Sequence, residues 1–455
     1  MQLPKLPQKT LEQLLAFLLG SDTDSYIVSQ IGYTWDEEEF AQYKLVIVPS
    51  KFFTDRYYGL PRSMPALPIK MLGKIPILFG EPDVVKINDT LVVYADIVAA
   101  SYFLLSRYEE LVNPKRDEHG RFQGKDSVME GMMHRPIVDE YGKLLRSWLR
   151  DCNIYIAEPP QKIKKIYLTH DIDVPYLYRS CRNLGGVFLK RRKEIFPALK
   201  TFFGKRENDP FFTFPFILEQ NKQLAPPNLP KGEEQSPSFG GVRGGLVETI
   251  FFLKSVKYDE PYDRPYYNLQ SKDIQYLISL FKKAGAKIGL HTSYTSGDEN
   301  KSLLALYENE QLQIAVDELV TYNRYHFLRN TKSEDMQCLP FAGITDDFTI
   351  GYADAAGFRL GTCRPVPWIN LKKKTFSDRL TLHPLTMMDC TLTAEKYMNL
   401  SYEWAFNYAT ELVDQVKKYN GELVLLWHNT VFAENATFDH KKFYSELLNY
   451  IKENQ

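Results

Sequence analysis

From Lys165 onward the sequence alternates short apolar runs with longer amphipathic stretches, and this alternation constrains the fold more than any other feature. Strand-type runs stand at Ile166–Thr169, Glu248–Leu253, Lys287–Leu290, His326–Leu328, Phe358–Thr362, near Leu380, and at Glu422–Trp427. Helical periodicity fills Phe212–Gln223, Ser271–Ala284, Lys301–Tyr322, Glu395–Tyr419 and Lys441–Lys452. Strands separated by helices imply a parallel sheet, because each return to the same edge needs a crossover. About seven such units in roughly 290 residues fit an irregular (β/α) barrel better than an open sheet.

The alternation divides the chain into residues 1–160, a smaller α/β unit of unknown role, and residues 161–455, the barrel. In the first unit, Leu11 to Leu19 form a short amphipathic helix, and Tyr43–Val48 and Ile75–Phe79 are strand-type runs. Val84–Ile87 and Leu91–Tyr94 flank Asn88-Asp89 as a hairpin, and Asp96 caps a helix running to about Leu111. Another helix follows Pro136. His119 and His134 are read as surface or loop histidines. Residues 225–245 carry prolines and glycines without a hydrophobic period and are expected to be a disordered surface insertion.

Composition narrows the function classes. Of 455 residues, 44% are hydrophobic and 25% charged, with 56 Lys and Arg against 57 Asp and Glu. A formal net charge of −1 supplies no basic field for phosphate backbones, so nucleic acid is not expected as a partner. The five cysteines are scattered, without a CxxC pair, and are read as buried free thiols. No stretch approaches the ~20 apolar residues of a membrane span. The N-terminus lacks the basic and apolar regions of a secretory signal, and the protein is expected to be cytoplasmic.

The chemistry is expected at the carboxyl ends of the strands, where parallel α/β folds place their sites. The first barrel strand runs into His170-Asp171-Ile172-Asp173. Carboxylates at i and i+2 on extended backbone point to the same side, so one can hold a metal while the other acts as a base. His291 ends the third strand, His326 and Arg329 belong to the fourth, and Trp427-His428 ends the last. Arg364 is a candidate substrate contact on a loop over the mouth, with a salt-bridged loop as the alternative. Trp368 and Trp427 could stack on a sugar ring or pack in the core. His383, Asp389 and His440 are read as structural or surface residues.

The order and content of these segments resemble the polysaccharide deacetylase family, the NodB-homology fold. Thr169-His170-Asp171-Ile172-Asp173 loosely matches its Thr-Phe-Asp-Asp-Gly motif, and His291-Thr292-Ser293-Tyr294-Thr295 half matches its His-Ser/Thr-x-x-His motif. His326-Phe327-Leu328-Arg329 suggests its arginine motif, and Leu425-Leu426-Trp427-His428 matches Leu-x-x-His. The resemblance covers residues 165–435 and includes Ala356–Pro365, a segment that accompanies a His-Asp-x-Asp start in similar proteins.

The resemblance implies a hydrolase dependent on a divalent metal, expected to be zinc, that removes an acetyl group from an amino sugar or polysaccharide. It assigns Asp171 as the general base, His428 as the acid that protonates the leaving amine, and Arg329 as the arginine that orients the base. Ile172 stands where the family has its metal carboxylate, so Asp173 takes that role, with His291 as the first metal histidine. Thr295 replaces the second, and its hydroxyl could hold a coordinated water. Catalytic zinc keeps three protein ligands, so His170 or His326 has to supply the third, and His170 is carried forward as the candidate. Two other readings compete. An incomplete metal set fits an inactive barrel that binds carbohydrate or scaffolds an assembly, and Asp-x-Asp also serves glycosyltransferases, although no Gly-rich loop suggests a nucleotide site.

Overall fold

Fifteen strands, numbered in chain order among the described residues, form three sheets in the computed structural model. The described residues are 5–20, 24–179, 195–224, 246–298, 300–433 and 438–455, so the expectation for residues 225–245 lies outside them. The first sheet has the order β1 (Ile31–Tyr33), β2 (Leu45–Ile47), β6 (Thr90–Ala95), β5 (Gly80–Ile87), and β3 (Lys70–Leu72) pairs with β4 (Ile75–Ile77) in a separate hairpin. β5 and β6 are antiparallel across Asn88, whose φ of 54° gives the tight reversal expected of this turn. Asp96 caps the helix Ile97–Leu105 by accepting from the Ala99 amide. That helix stops before Arg107, at φ 59°, and a second short helix follows at Glu109–Val112, so the single helix expected to Leu111 is broken.

The main sheet is curled, and its nine strands exceed the expected seven. In spatial order they are β12 (Val366–Asn370), β13 (Thr375–Leu382), β11 (Asp346–Asp347), β10 (Tyr322–Tyr325), β9 (Lys287–Thr292), β8 (Val247–Leu253), β7 (Lys165–Ile172), β15 (Glu422–Leu426) and β14 (Met387–Met388). Every pairing in it is parallel except β12 with β13. β11 and β14 have two residues each, too short to leave a period-two signature. Two expected strands fall elsewhere. The fourth lies at Tyr322–Tyr325, and His326–Leu328 is a reversal with Phe327 and Leu328 at φ 62° and 54°. The segment Phe358–Thr362 is a loop sealed against the first unit, where the Phe358 amide donates to the Met133 carbonyl and the Val138 amide to that of Gly361.

β7 explains how the core and the site divide. Its eight residues are all buried, because both faces of a parallel strand are covered. Ile166, Leu168 and Ile172 join the large cluster shared with the helices and the first unit, whereas Tyr167 packs inside the curl with Ile250, Phe252, Phe348 and Val424. The period of two therefore sends Thr169, Asp171 and Asp173 inward and His170 outward.

Candidate active site

Four residues expected at the site meet at the carboxyl ends of β7, β9 and β15. Asp171 lies at the end of β7 and Asp173 just past it, His291 lies in β9 and His428 stands two residues beyond β15. The His291 Nε2 atom lies 3.2 Å from Asp173 Oδ1 and 3.7 Å from Asp171 Oδ2, and His428 Nε2 lies 3.7 Å from Asp173 Oδ2. All line one pocket of about 220 Å³.

The third imidazole is that of His326. It follows β10 with the same inward phase as Arg324, and its Nε2 is 3.2 Å from Asp173 Oδ1. One donor atom from each of Asp173, His291 and His326 lies within 4.8 Å of the others. His291 Nδ1 donates to the Arg324 carbonyl at 3.0 Å, which leaves Nε2 as a lone pair facing Asp173. Asp173 Oδ1 and His291 Nε2 are nevertheless buried without a hydrogen bond. Two buried acceptors facing each other are costly unless a cation lies between them, so the donor set fits a divalent metal. Two imidazoles and a carboxylate also form the ligand chemistry of catalytic zinc.

His170 takes no part in this set. Its Nδ1 is 2.8 Å from the Trp427 carbonyl and its Nε2 is 3.0 Å from the Asn221 amide, on the outer face of β7. Burial pushes its pKa down to about 4, so it is neutral at pH 7. Its place follows from the alternation that aligns Asp171 with Asp173.

The position expected for Arg329 is filled by Arg324. Fully buried, Arg324 donates from Nη1 to Asp171 Oδ1 at 3.0 Å and to Thr169 Oγ1 at 2.7 Å. Arg329 instead donates to the carbonyls of His119 and Tyr294 and pairs with Asp298, stapling a loop of the first unit to the barrel. The expected strand position, a few residues too far along the chain, hid this exchange.

Thr295 does not stand in the pocket either. Its hydroxyl and amide donate to Asp263 Oδ2, and Asp263 Oδ1 lies 3.4 Å from His326 Nδ1. Thr295 thus holds the carboxylate that orients the third imidazole, the arrangement usual behind metal-bound histidines. The buried Lys254 fixes the same loop by donating to the carbonyls of Asp263 and Pro265. Nothing in the sequence around Asp263 or Lys254 signalled either role. Trp427 is 1% exposed and packs on Phe443 and Tyr444, so it stacks on no ligand. Arg364 lies at the seam with the first unit, paired with Asp139 at 2.7 Å and placed over the Phe17 ring.

Charge is tightly organised. Burial raises the Asp173 carboxyl, but the His326 and His291 imidazoles overcome this and hold it well below the ordinary range. Asp389, read from sequence as structural, has both oxygens 3.0 Å from His428 Nδ1. Burial lowers the His428 pKa, but contact with Asp389 outweighs it and raises the value well above that of free imidazole. His428 therefore presents a protonated Nε2 to the pocket. Leu328, Met388 and Leu426 supply an apolar wall. Arg121, from the first unit, also lines the pocket.

A family model described as a family of unknown function, DUF7033, matches residues 10–153. No curated protein matches the sequence. Among solved structures, a Mycobacterium smegmatis protein described as a polysaccharide deacetylase is similar over 64% of this chain and 86% of its own, with 14% identity and a TM-score of 0.39. A BA3943 mutant, described as a CE4 family pseudoenzyme with restored enzymatic activity, is similar over 66% of each chain, with 10% identity and a TM-score of 0.32.

Proposed function

We propose that the protein is a metal-dependent hydrolase of the polysaccharide deacetylase type that releases acetate from an N-acetylated sugar. The observation that carries this reading is the buried, unbonded pair Asp173 Oδ1 and His291 Nε2, closed by His326 and flanked by Asp171 and His428. Asp173, His291 and His326 would hold the ion. A divalent metal, when bound, would supply Lewis-acid activation of the amide carbonyl and of the attacking water. Asp171, fixed by Arg324, accepts the proton of that water as the carbon–oxygen bond forms. His428, steadied by Asp389, gives its Nε2 proton to the amine as the carbon–nitrogen bond breaks, so that acetate and a free amine leave.

Pocket size supports the same substrate class. A volume of about 220 Å³ lies below the usual ligand-site range of roughly 300–1,000 Å³, so only a small group enters. Leu328, Met388 and Leu426 line the pocket with an apolar wall suited to the methyl of an acetamido group, the sugar staying at the mouth. The inactive-barrel alternative rested on a missing third ligand, and His326 supplies an imidazole at that place. The boundary at 160/161 is part of this proposal.

The test is acetate release by zinc-loaded protein from a panel of N-acetylated sugars, neutral chito-oligosaccharides and charged monosaccharides alike. Wild type is expected to release acetate, and Asp171→Asn to be slower by about 10²–10⁴ with its metal retained. Stoichiometric zinc with no acetate released, or full activity in Asp171→Asn, contradicts the proposal.

A further inference from the structure

The loop of residues 113–127 leaves the first unit and reaches the barrel mouth. Arg121, 7% exposed, donates to the Phe327 carbonyl at 2.9 Å and to the Tyr397 hydroxyl at 3.2 Å, and it pairs with Asp117 at 2.7 Å. One wall of the metal pocket thus comes from the first unit. Beyond it, a shallow depression of about 540 Å³ shares Arg121, Lys396 and Tyr397 with that pocket, so the two adjoin.

The depression is cationic. Lys115, Arg116, Arg121, Lys125 and Lys396 line it against Asp117, Glu118 and Asp126. Asp117 is taken by Arg121, and Asp126 by Lys115 at 3.0 Å. Among the described residues Arg116, Lys125 and Lys396 have no carboxylate within ion-pair distance. Arg116 donates only to the carbonyls of Glu110, Asn113 and Lys115, and the Lys396 ammonium lies over the Tyr397 ring. Three cations against one remaining carboxylate, the largely exposed Glu118, are placed to meet negative charge on the part of the substrate left outside the pocket.

We infer that the first unit builds an anion subsite beside the metal pocket, and that the substrate is a sugar carrying a phosphate next to its acetamido group. The inference rests on the deacetylase reading for the acetamido group, but the subsite itself is tested by binding alone. Full-length protein stripped of metal, so that no ion attracts phosphate, is titrated calorimetrically at low salt. The probes are N-acetylglucosamine 1-phosphate, N-acetylmuramic acid and N-acetylglucosamine. The 1-phosphate is expected to bind about tenfold tighter than the neutral sugar, the worth of one charge-assisted hydrogen bond, and the Lys125→Ala/Lys396→Ala variant to bring the two within about twofold. Equal binding of N-acetylmuramic acid and the 1-phosphate means that the subsite accepts carboxylate as well and overturns the phosphate assignment. Equal affinities for charged and neutral sugars, a preference that survives the double variant, or no binding of the 1-phosphate overturns the subsite. A phosphate preference in a protein that releases no acetate once zinc is added leaves the subsite standing and removes the deacetylase reading.

Discussion

Two histidine–carboxylate clusters sit in the same curled sheet and differ in what their polar atoms touch. At the amino ends of β11 and β15, His383 donates from Nδ1 to Glu422 at 2.6 Å and from Nε2 to Asp346 at 2.9 Å, while Phe348 stacks on its ring and the Tyr167 ring lies edge-on. Both nitrogens are bonded, and this cluster asks for nothing more. At the carboxyl ends, Asp173 Oδ1 and His291 Nε2 are equally buried and bonded to nothing. A gathering of titratable groups therefore does not mark a site by itself, and polar atoms aimed at an absent partner do.

The contrast is open to test through stability. His383→Leu leaves two buried carboxylates without their cation and is expected to cost about 3–5 kcal/mol, while acetate release per folded molecule stays unchanged. Asp173→Asn, made in metal-free protein, removes a charge that the imidazoles hold ionised, but its side chain is partly exposed and no buried carboxylate is left unpaired, so it is expected to cost less than His383→Leu. A larger destabilisation by Asp173→Asn than by His383→Leu, followed by thermal melts, would reverse the roles of the two clusters.

A smaller effect appears in the pH dependence of stability. Burial alone lowers the His383 pKa, but Glu422 and Asp346 raise it to about 9. A raised value means that its contribution is complete below about pH 6.5 and is lost as pH climbs through about 9, a change on the order of 2–4 kcal/mol. Asp346 is shifted the other way, down from its ordinary value, so its contribution holds at neutral pH and is lost as pH falls through the carboxylate range. Melting curves from pH 6 to 9.5 should show this alkaline loss in wild type and its absence in His383→Leu.

The smallest effect concerns the support behind the third ligand. Asp263→Asn keeps the shape but removes the charge facing His326, and a fall of about 10–100-fold in zinc affinity is expected from chelator competition. Unchanged affinity would mean that Asp263 serves only the Tyr294–Thr295 turn.

Much of this arrangement was readable from residue order. Period two on β7 placed Asp171 and Asp173 together, and the helix cap at Asp96 was visible as side-chain chemistry. The same period could have excluded His170. What failed was phase and long-range contact. A four-residue β10 lay just upstream of the run taken for it, which moved the inward arginine from Arg324 to Arg329. Asp263 closes a single 3-10 turn, Asp389 opens a five-residue helix and Arg121 lies in a loop, and each reaches the site through side-chain hydrogen bonds to distant backbone groups that leave no local pattern.

The central claim is that His326, and not His170, completes a three-residue metal centre with Asp173 and His291. Zinc per chain after exhaustive dialysis, measured in wild type, His326→Ala and His170→Gln, tests it most directly. One equivalent in wild type and in folded His170→Gln, with none in His326→Ala, is the expected result. One equivalent retained by folded His326→Ala, or no zinc in wild type, contradicts it.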